Sequence, residues 1–366
     1  MANTAPTASN PATSLPANQA SLGIDPASLK MTFDDEFNNL SSSPDGSSGT
    51  WTTVYPFGGE AARTLPANHE AEFYSDPSVG ENPFSVNNGV LTISATPAAP
   101  GSNPYGLPYD SGVISTHDSF AQQYGYFEMR AQLPAGAGLW PAFWMIPKND
   151  SYSAELDVLE QLGNDTKTIY QTAHDWAGGD AATGQKIASV PDASAGFHTY
   201  GVDWEPDTTT FYEDGKPTGS VATPASMKTP MIMMANLAVG GSGSWPGAPD
   251  GSTKFPAQMQ VDYIRAYATA NTVGVSGRAA LANGGAAPIG VKIALDPARV
   301  GTILGRCKTQ HLSRLINLKS CCGDFPPLSI LTASPDKPRR SSAGVRSTVA
   351  LTCCAWRWRA APVACR

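Results

Sequence analysis

What most constrains this chain is a missing pattern: residues 24–268 hold almost no 3.6-residue helical period. In its place come short runs rich in Val, Ile, Tyr, Phe, Trp and Thr, cut off by Gly, Pro, Asn and Asp. β-branched and aromatic side chains fit a pleated surface, so such runs read as strands. The clearest lie at 89–94, 125–133, 199–204, 210–213 and 260–267. Asp214-Gly215 predicts a tight hairpin turn, because both residues tolerate the left-handed backbone that such a turn requires. With 35 Gly and 31 Pro, the chain has ample material for further turns. Many strands without helices to cover them must bury their faces against each other. The expected fold is all-β: two antiparallel sheets packed face to face in a jelly-roll sandwich.

Three segments follow along the chain. Residues 1–23 are polar, Pro-rich and without period, and read as a disordered N-terminal segment. Residues 24–268 form the candidate domain. Residues 269–366 read as a linker followed by a basic, poorly ordered tail holding all six cysteines (Cys307, Cys321, Cys322, Cys353, Cys354 and Cys365). Their spacings fit no C-x2-C zinc pair. The formal net charge of -7 conceals an asymmetry, with 10 Lys/Arg against 28 Asp/Glu up to residue 270 and 14 against 3 beyond it. So acidic a domain repels phosphates, which argues against nucleic acid as its partner. No apolar stretch is long enough for a membrane helix. Residues 1–22 lack the basic and apolar regions of a secretory signal.

The segment richest in chemistry is Glu155-Leu156-Asp157-Val158-Leu159-Glu160. On a strand, Glu155 and Asp157 share one face while Leu156 and Val158 share the other. Glu160 stands at an odd offset from Glu155 and would point away. One extra residue taken up as a β-bulge would return it to the carboxylate face, and bulges are common beside active sites. Three adjacent carboxylates repel one another and raise each other's pKa, a cost without structural benefit. Glycoside hydrolysis needs such a set: an ionised carboxylate to attack and a protonated carboxyl to donate. A solvated acidic strand edge is the alternative reading of these residues alone.

Aromatic flanks weigh against that alternative. Leu139 to Met145 would form the neighbouring strand, with Trp140 and Trp144 on one face. Beside carboxylates, indole rings are candidate sugar platforms, although two Trp could equally be core. His174 can hydrogen-bond sugar hydroxyls, and Trp176 adds a second aromatic group. Trp245, within the glycine-rich segment 240–247, is a candidate wall of the cleft.

These pieces resemble glycoside hydrolase family 16. The matching segments, in order, are FDDEFN (33–38), NPFSVNNGVLTISA (82–95), YGYFEMRAQLP (124–134), GLWPAFWMIP (138–147) and ELDVLE (155–160). After them come GVDWEPDTTTFYEDGK (201–216), NLAVGGSGSWPG (236–247) and VDYIRAY (261–267). The resemblance implies a concave substrate cleft and a retaining mechanism, with Glu155 as nucleophile, Glu160 as acid/base and Asp157 tuning the charge between them. It also implies cleavage of a β-1,3- or mixed β-1,3-1,4-glucan, or a related exopolysaccharide. A non-catalytic glucan-binding module and a transglycosylase are the alternatives on this fold. No cofactor is needed for the chemistry. A structural Ca2+ is implied on the backbone carbonyls of Glu36 and Gly89 together with Asp262. A monomer acting in an extracellular or periplasmic compartment is the corresponding expectation.

Overall fold

The structure, a computed structural model, describes residues 29–149 and 152–278. The segment read as disordered, and all six cysteines, lie outside the described residues. Two ten-stranded sheets stack on each other, with only single-turn 3-10 helices between strands. The first sheet runs Lys216–Ala222, Thr208–Glu213, His198–Trp204, Gly125–Gln132, Ala257–Ala268, Val90–Pro97, Tyr109–Ser111, Glu72–Tyr74. Lys30–Asp35 and Phe84–Asn87 pair onto it off this path. The second runs Gly184–Ser189, Thr168–His174, Glu155–Glu160, Leu139–Pro147, Met231–Val239, Val113–Ser115, Trp51–Thr52, Ser42–Ser43.

The sheets depart from the expected antiparallel pattern in two places. Ser42–Ser43 pairs parallel with Trp51–Thr52, and Glu72–Tyr74 pairs parallel with Tyr109–Ser111. Both are pairings of two or three residues made by loops folding back, a geometry no local pattern announces. The ordered fold also runs past residue 268, into the stretch assigned to the linker. Val275–Ser276 pairs with Ala121–Gln122 at the edge of the second sheet, and Arg278 donates to the carbonyls of Gly46 and Ser47.

The strands read from the sequence are present, with ends shifted by up to three residues. Their alternation explains the packing: on Val90–Pro97, Leu91, Ile93 and Ala95 are fully buried while the residues between them are half-buried. Facing side chains from both sheets, including Phe127, Met129, Phe143, Leu156, Leu159, Met233 and Ile264, close one core. At about 25 cal/mol per Å2 of apolar surface removed from water, this core supplies the main drive to fold. The hairpin turn has Asp214 at φ 47° and Gly215 at φ 71°, as the Asp-Gly pair predicts. No helix among the described residues is long and apolar enough to cross a membrane.

Candidate active site

The three carboxylates lie on one strand in the middle of the second sheet. Across Leu139–Pro147, Glu160 pairs with Ala142 and Asp157 with Trp144. Two steps on one strand thus oppose three steps on the other. The same mismatch recurs on the opposite side, where Asp157 pairs with Thr172 and Glu160 with Tyr170. The extra residue is accommodated at Val158, which is fully buried in the core along with Leu156 and Leu159. This bulge turns Glu160 to the same face as Glu155 and Asp157. All three line one cleft, together with Trp140, Trp144, Ala142, Tyr55, Leu65, Asn68, Glu70, Asn236 and Ala238.

Each acid has its own partners. Trp140 donates its indole N–H to Glu160 Oε1 at 3.0 Å. His174, paired with Glu155 across the next strand, brings Nε2 to 3.1 Å from Asp157 Oδ2 and 4.0 Å from Glu155 Oε1. Its ring stacks on Trp176 at 4.3 Å between centroids. Asp175 holds that corner in place: its Oδ1 accepts from Gly178 N at 3.2 Å and from Ser226 Oγ at 2.6 Å.

The electrostatics follow from burial. Desolvation pushes the Asp157 carboxyl up to about 8. Glu155 is driven well above the usual carboxylate range, first by burial and next by the charge of Asp157, while His174 and a Trp176 hydrogen bond act in the opposite sense. Glu160 is raised by burial and by Asp157, with the Trp140 hydrogen bond and His174 opposing. Three acids so placed share protons, and the set can present one ionised and one protonated carboxyl to the same bond.

The predicted aromatic residues divide by exposure. Trp176 (39% exposed) and Trp245 (45%) present open ring surface. Trp245 meets Trp140 edge-on at 5.4 Å and Tyr170 at 4.7 Å, forming one wall. Gly240 makes this loop possible, since a Cβ there would lie 2.2 Å from Ser244 Oγ and 2.3 Å from the Gly247 carbonyl. Trp144 differs from the other three. It is only 7% exposed, donates Nε1–H to Asn236 Oδ1 at 2.8 Å and packs edge-on against Tyr55 at 5.6 Å. It forms the floor beneath the acids, not an open platform.

Sequence reasoning missed the buried polar residues that border the Trp245 loop, where Glu70 pairs with Gly240. Glu70 is buried and accepts from Leu65 N and from Asn68 Nδ2. Glu72 is fully buried beside it and accepts from Val239 N. Asn236 donates to Tyr74 Oη at 2.9 Å and so links Trp144 to the Tyr55–Tyr74 pair. These residues lie far from the acids in the sequence and carry no period that would announce them.

Of the expected calcium ligands, Glu36 and Gly89 are neighbours, with the Glu36 carbonyl 3.5 Å from where a Cβ of residue 89 would sit. Asp262 engages Arg130 through Oδ2 at 2.5 Å. Carbonyls and a carboxylate form the donor chemistry of a hard cation, although the guanidinium already holds one of the carboxylate oxygens. Among the described residues, two clusters bring three His or carboxylate ligand atoms within 4.8 Å of one another: Glu155, Asp157 and His174 in the cleft, and His198, Glu213 and Asp214 elsewhere.

The chain is similar to known proteins in both sequence and fold. Residues 72–265 match the family model described as glycosyl hydrolases family 16. The chain is 43% identical over 268 residues to the endo-1,3-1,4-beta-glycanase ExsH of Rhizobium meliloti (strain 1021), covering 71% of this chain and 56% of that protein. The endo-1,3-1,4-beta-glycanase EglC of the same organism is 42% identical over 266 residues, with the same two coverages. The chain therefore spans little more than half the length of either relative. Among solved structures, the laminarinase catalytic domain of Thermotoga maritima MSB8 superposes with a TM-score of 0.57 at 32% identity, covering 66% of this chain and 99% of that one. Matched over more than half its length, the chain belongs to glycosyl hydrolase family 16.

Proposed function

We propose that the protein is a retaining endo-β-glucanase acting on β-1,3- or mixed β-1,3-1,4-linked glucan. The observation that carries this reading is the bulge at Val158, which leaves three carboxylates of unequal surroundings side by side in an aromatic-walled cleft. The relatives named as endo-1,3-1,4-beta-glycanases support the substrate class.

In the proposed reaction Glu155 attacks the anomeric carbon while Glu160 gives its proton to the leaving oxygen. The glycosidic C–O bond breaks as the Glu155 ester bond forms. Water then enters, Glu160 takes its proton, and the ester is cleaved with a second inversion, giving net retention. Asp157, whose carboxyl is raised by burial, shares a proton with its two neighbours and so relieves the repulsion between them. His174 stands beside Glu155 and Asp157, where it opposes the build-up of negative charge. Trp140 orients Glu160 through its N–H. Trp176 and Trp245 are the platforms for sugar rings and Trp144 the floor.

A polymeric substrate implies action outside the cell, extracellular or periplasmic. A structural Ca2+ held by Glu36, Gly89 and Asp262 would brace the first sheet without entering the chemistry. Chelation would then lower the melting temperature and leave the mechanism unchanged. The test of the function is reducing-sugar release from laminarin and lichenan by the wild type and by Glu155→Gln. Release that vanishes in the variant supports the proposal. Binding of both glucans without release by the wild type overturns it in favour of a binding module.

A further inference from the structure

On the first sheet, at the turn of a hairpin, the chain gathers a second group of titratable side chains that the hydrolytic site does not use. His198 opens the strand His198–Trp204, and Glu213 closes the adjacent strand Thr208–Glu213. Asp214 follows in the turn. His198 Nδ1 lies 2.8 Å from Asp214 Oδ2 and 3.3 Å from Glu213 Oε1. Asp214 is fixed in this direction, because its other oxygen accepts from Thr199 N at 2.9 Å.

These separations have a meaning beyond an ion pair. Ligands about 2.0–2.2 Å from a tetrahedral zinc ion stand roughly 3.3–3.6 Å from one another. The 3.3 Å Glu213 separation at His198 matches that spacing, the 2.8 Å Asp214 separation is a hydrogen bond that has to open slightly to admit an ion, and all three donor atoms lie within 4.8 Å of one another. Burial supplies an independent observation. The Glu213 side chain is 9% exposed, and its Oε1 is buried without a hydrogen-bond partner although it faces His198. An orphaned buried carboxylate oxygen is costly and calls for a partner. The opposite side is open: Asp214 is 39% exposed, so an ion could enter and keep water in its remaining position. The other oxygen of Asp214 is held by the Thr199 N–H, the kind of outer-shell hydrogen bond that metal-ligating carboxylates receive.

We propose that His198 Nδ1, Glu213 and Asp214 form a binding site for a divalent transition metal, with Zn2+ as the ion of choice. One imidazole and two carboxylates suit Zn2+ better than Ca2+ or Mg2+, which prefer all-oxygen shells. The site lies on the sheet that does not carry the three acids, so its role is to clamp the hairpin. Binding to the folded chain alone stabilises that chain by mass action.

The test is equilibrium dialysis of the full chain against Zn2+ at neutral pH, for the wild type, Glu213→Gln and Asp214→Asn. Thiols in the tail contribute equally to all three, so the difference isolates this site. The proposal predicts one equivalent more in the wild type, or at least a tenfold weaker isotherm for that equivalent in each variant. Unchanged glucan hydrolysis by the variants shows that they are folded. A second measurement needs no variant fold: in the wild type labelled with 15N-histidine, Zn2+ should move the Nδ1 resonance of one histidine, identified as His198 by its absence in His198→Asn. Identical isotherms for all three proteins, or an unmoved Nδ1 resonance, would overturn the proposal.

Discussion

Trp140 donates its indole N–H to Glu160 Oε1 across 3.0 Å from the neighbouring strand. A donor aimed at a carboxylate favours its ionised form. Removing it in Trp140→Phe keeps an aromatic ring and leaves Glu160 harder to ionise. The alkaline limb of kcat should move to higher pH, and kcat/KM should fall about tenfold or more, the worth of a hydrogen bond to a charged group. A pH profile of both proteins checks this. A limb that stays in place would remove Trp140 from the tuning of Glu160.

The bulge leads to a less obvious expectation. Deleting Val158 leaves Glu155-Leu156-Asp157-Leu159-Glu160, in which simple alternation puts all three acids on one face without a bulge. The deletion variant should keep measurable hydrolysis, because Glu160 then stands at an even offset from Glu155. The deletion also loses a fully buried side chain, at a cost of about 1.5–3 kcal/mol. Loss of all hydrolysis by a deletion variant that still shows a cooperative melting transition would contradict the face argument.

Stability should depend on pH through Asp157. Its carboxyl titrates near 8 in the folded chain against an ordinary 3.8, so the folded state holds the proton more tightly than the unfolded one. That contribution is complete below about pH 3.8 and is lost as pH rises through about 8. Asp157→Asn mimics the protonated form permanently. Its melting temperature should match the wild type at pH 4 and exceed it increasingly towards pH 8, by roughly 2–4 °C per kcal/mol for a domain of this size. Calorimetry at four pH values tests this, and an offset independent of pH would contradict it.

The Trp245 wall should act on binding more than on chemistry. Trp245→Ala removes a ring that touches Trp140 and Tyr170. Gly240→Ala displaces the same loop, since its Cβ would strike the Gly247 carbonyl. An aromatic contact is worth about 0.5–1.5 kcal/mol, so KM should rise up to about tenfold in each variant with kcat much less affected. Steady-state kinetics on lichenan separates the two parameters. A collapse of kcat with KM unchanged would place Trp245 in the reacting set instead.

Much of this was readable before any coordinates. The odd offset of Glu160 demanded a bulge if the acids were to meet, and Val158 supplies it. Hydrophobic alternation located the long strands because each buries one face. Exposure was not readable in the same way: Trp140 and Trp144 share a face and a period, yet Trp144 is sealed by Tyr55 and Asn236, partners remote in sequence. Likewise Glu70 reaches the cleft from a loop, and Val275–Ser276 joins a sheet edge after an apparent linker. Each of these depends on long-range contacts that no local period encodes.

The central claim is a retaining hydrolase built on Glu155 and Glu160. The most direct measurement is 1H NMR of lichenan during the first minutes of digestion, before the released anomers equilibrate. The account predicts that the β-anomer of the new reducing end appears first and that Glu155→Gln releases none. First appearance of the α-anomer, or release undiminished in Glu155→Gln, would contradict it.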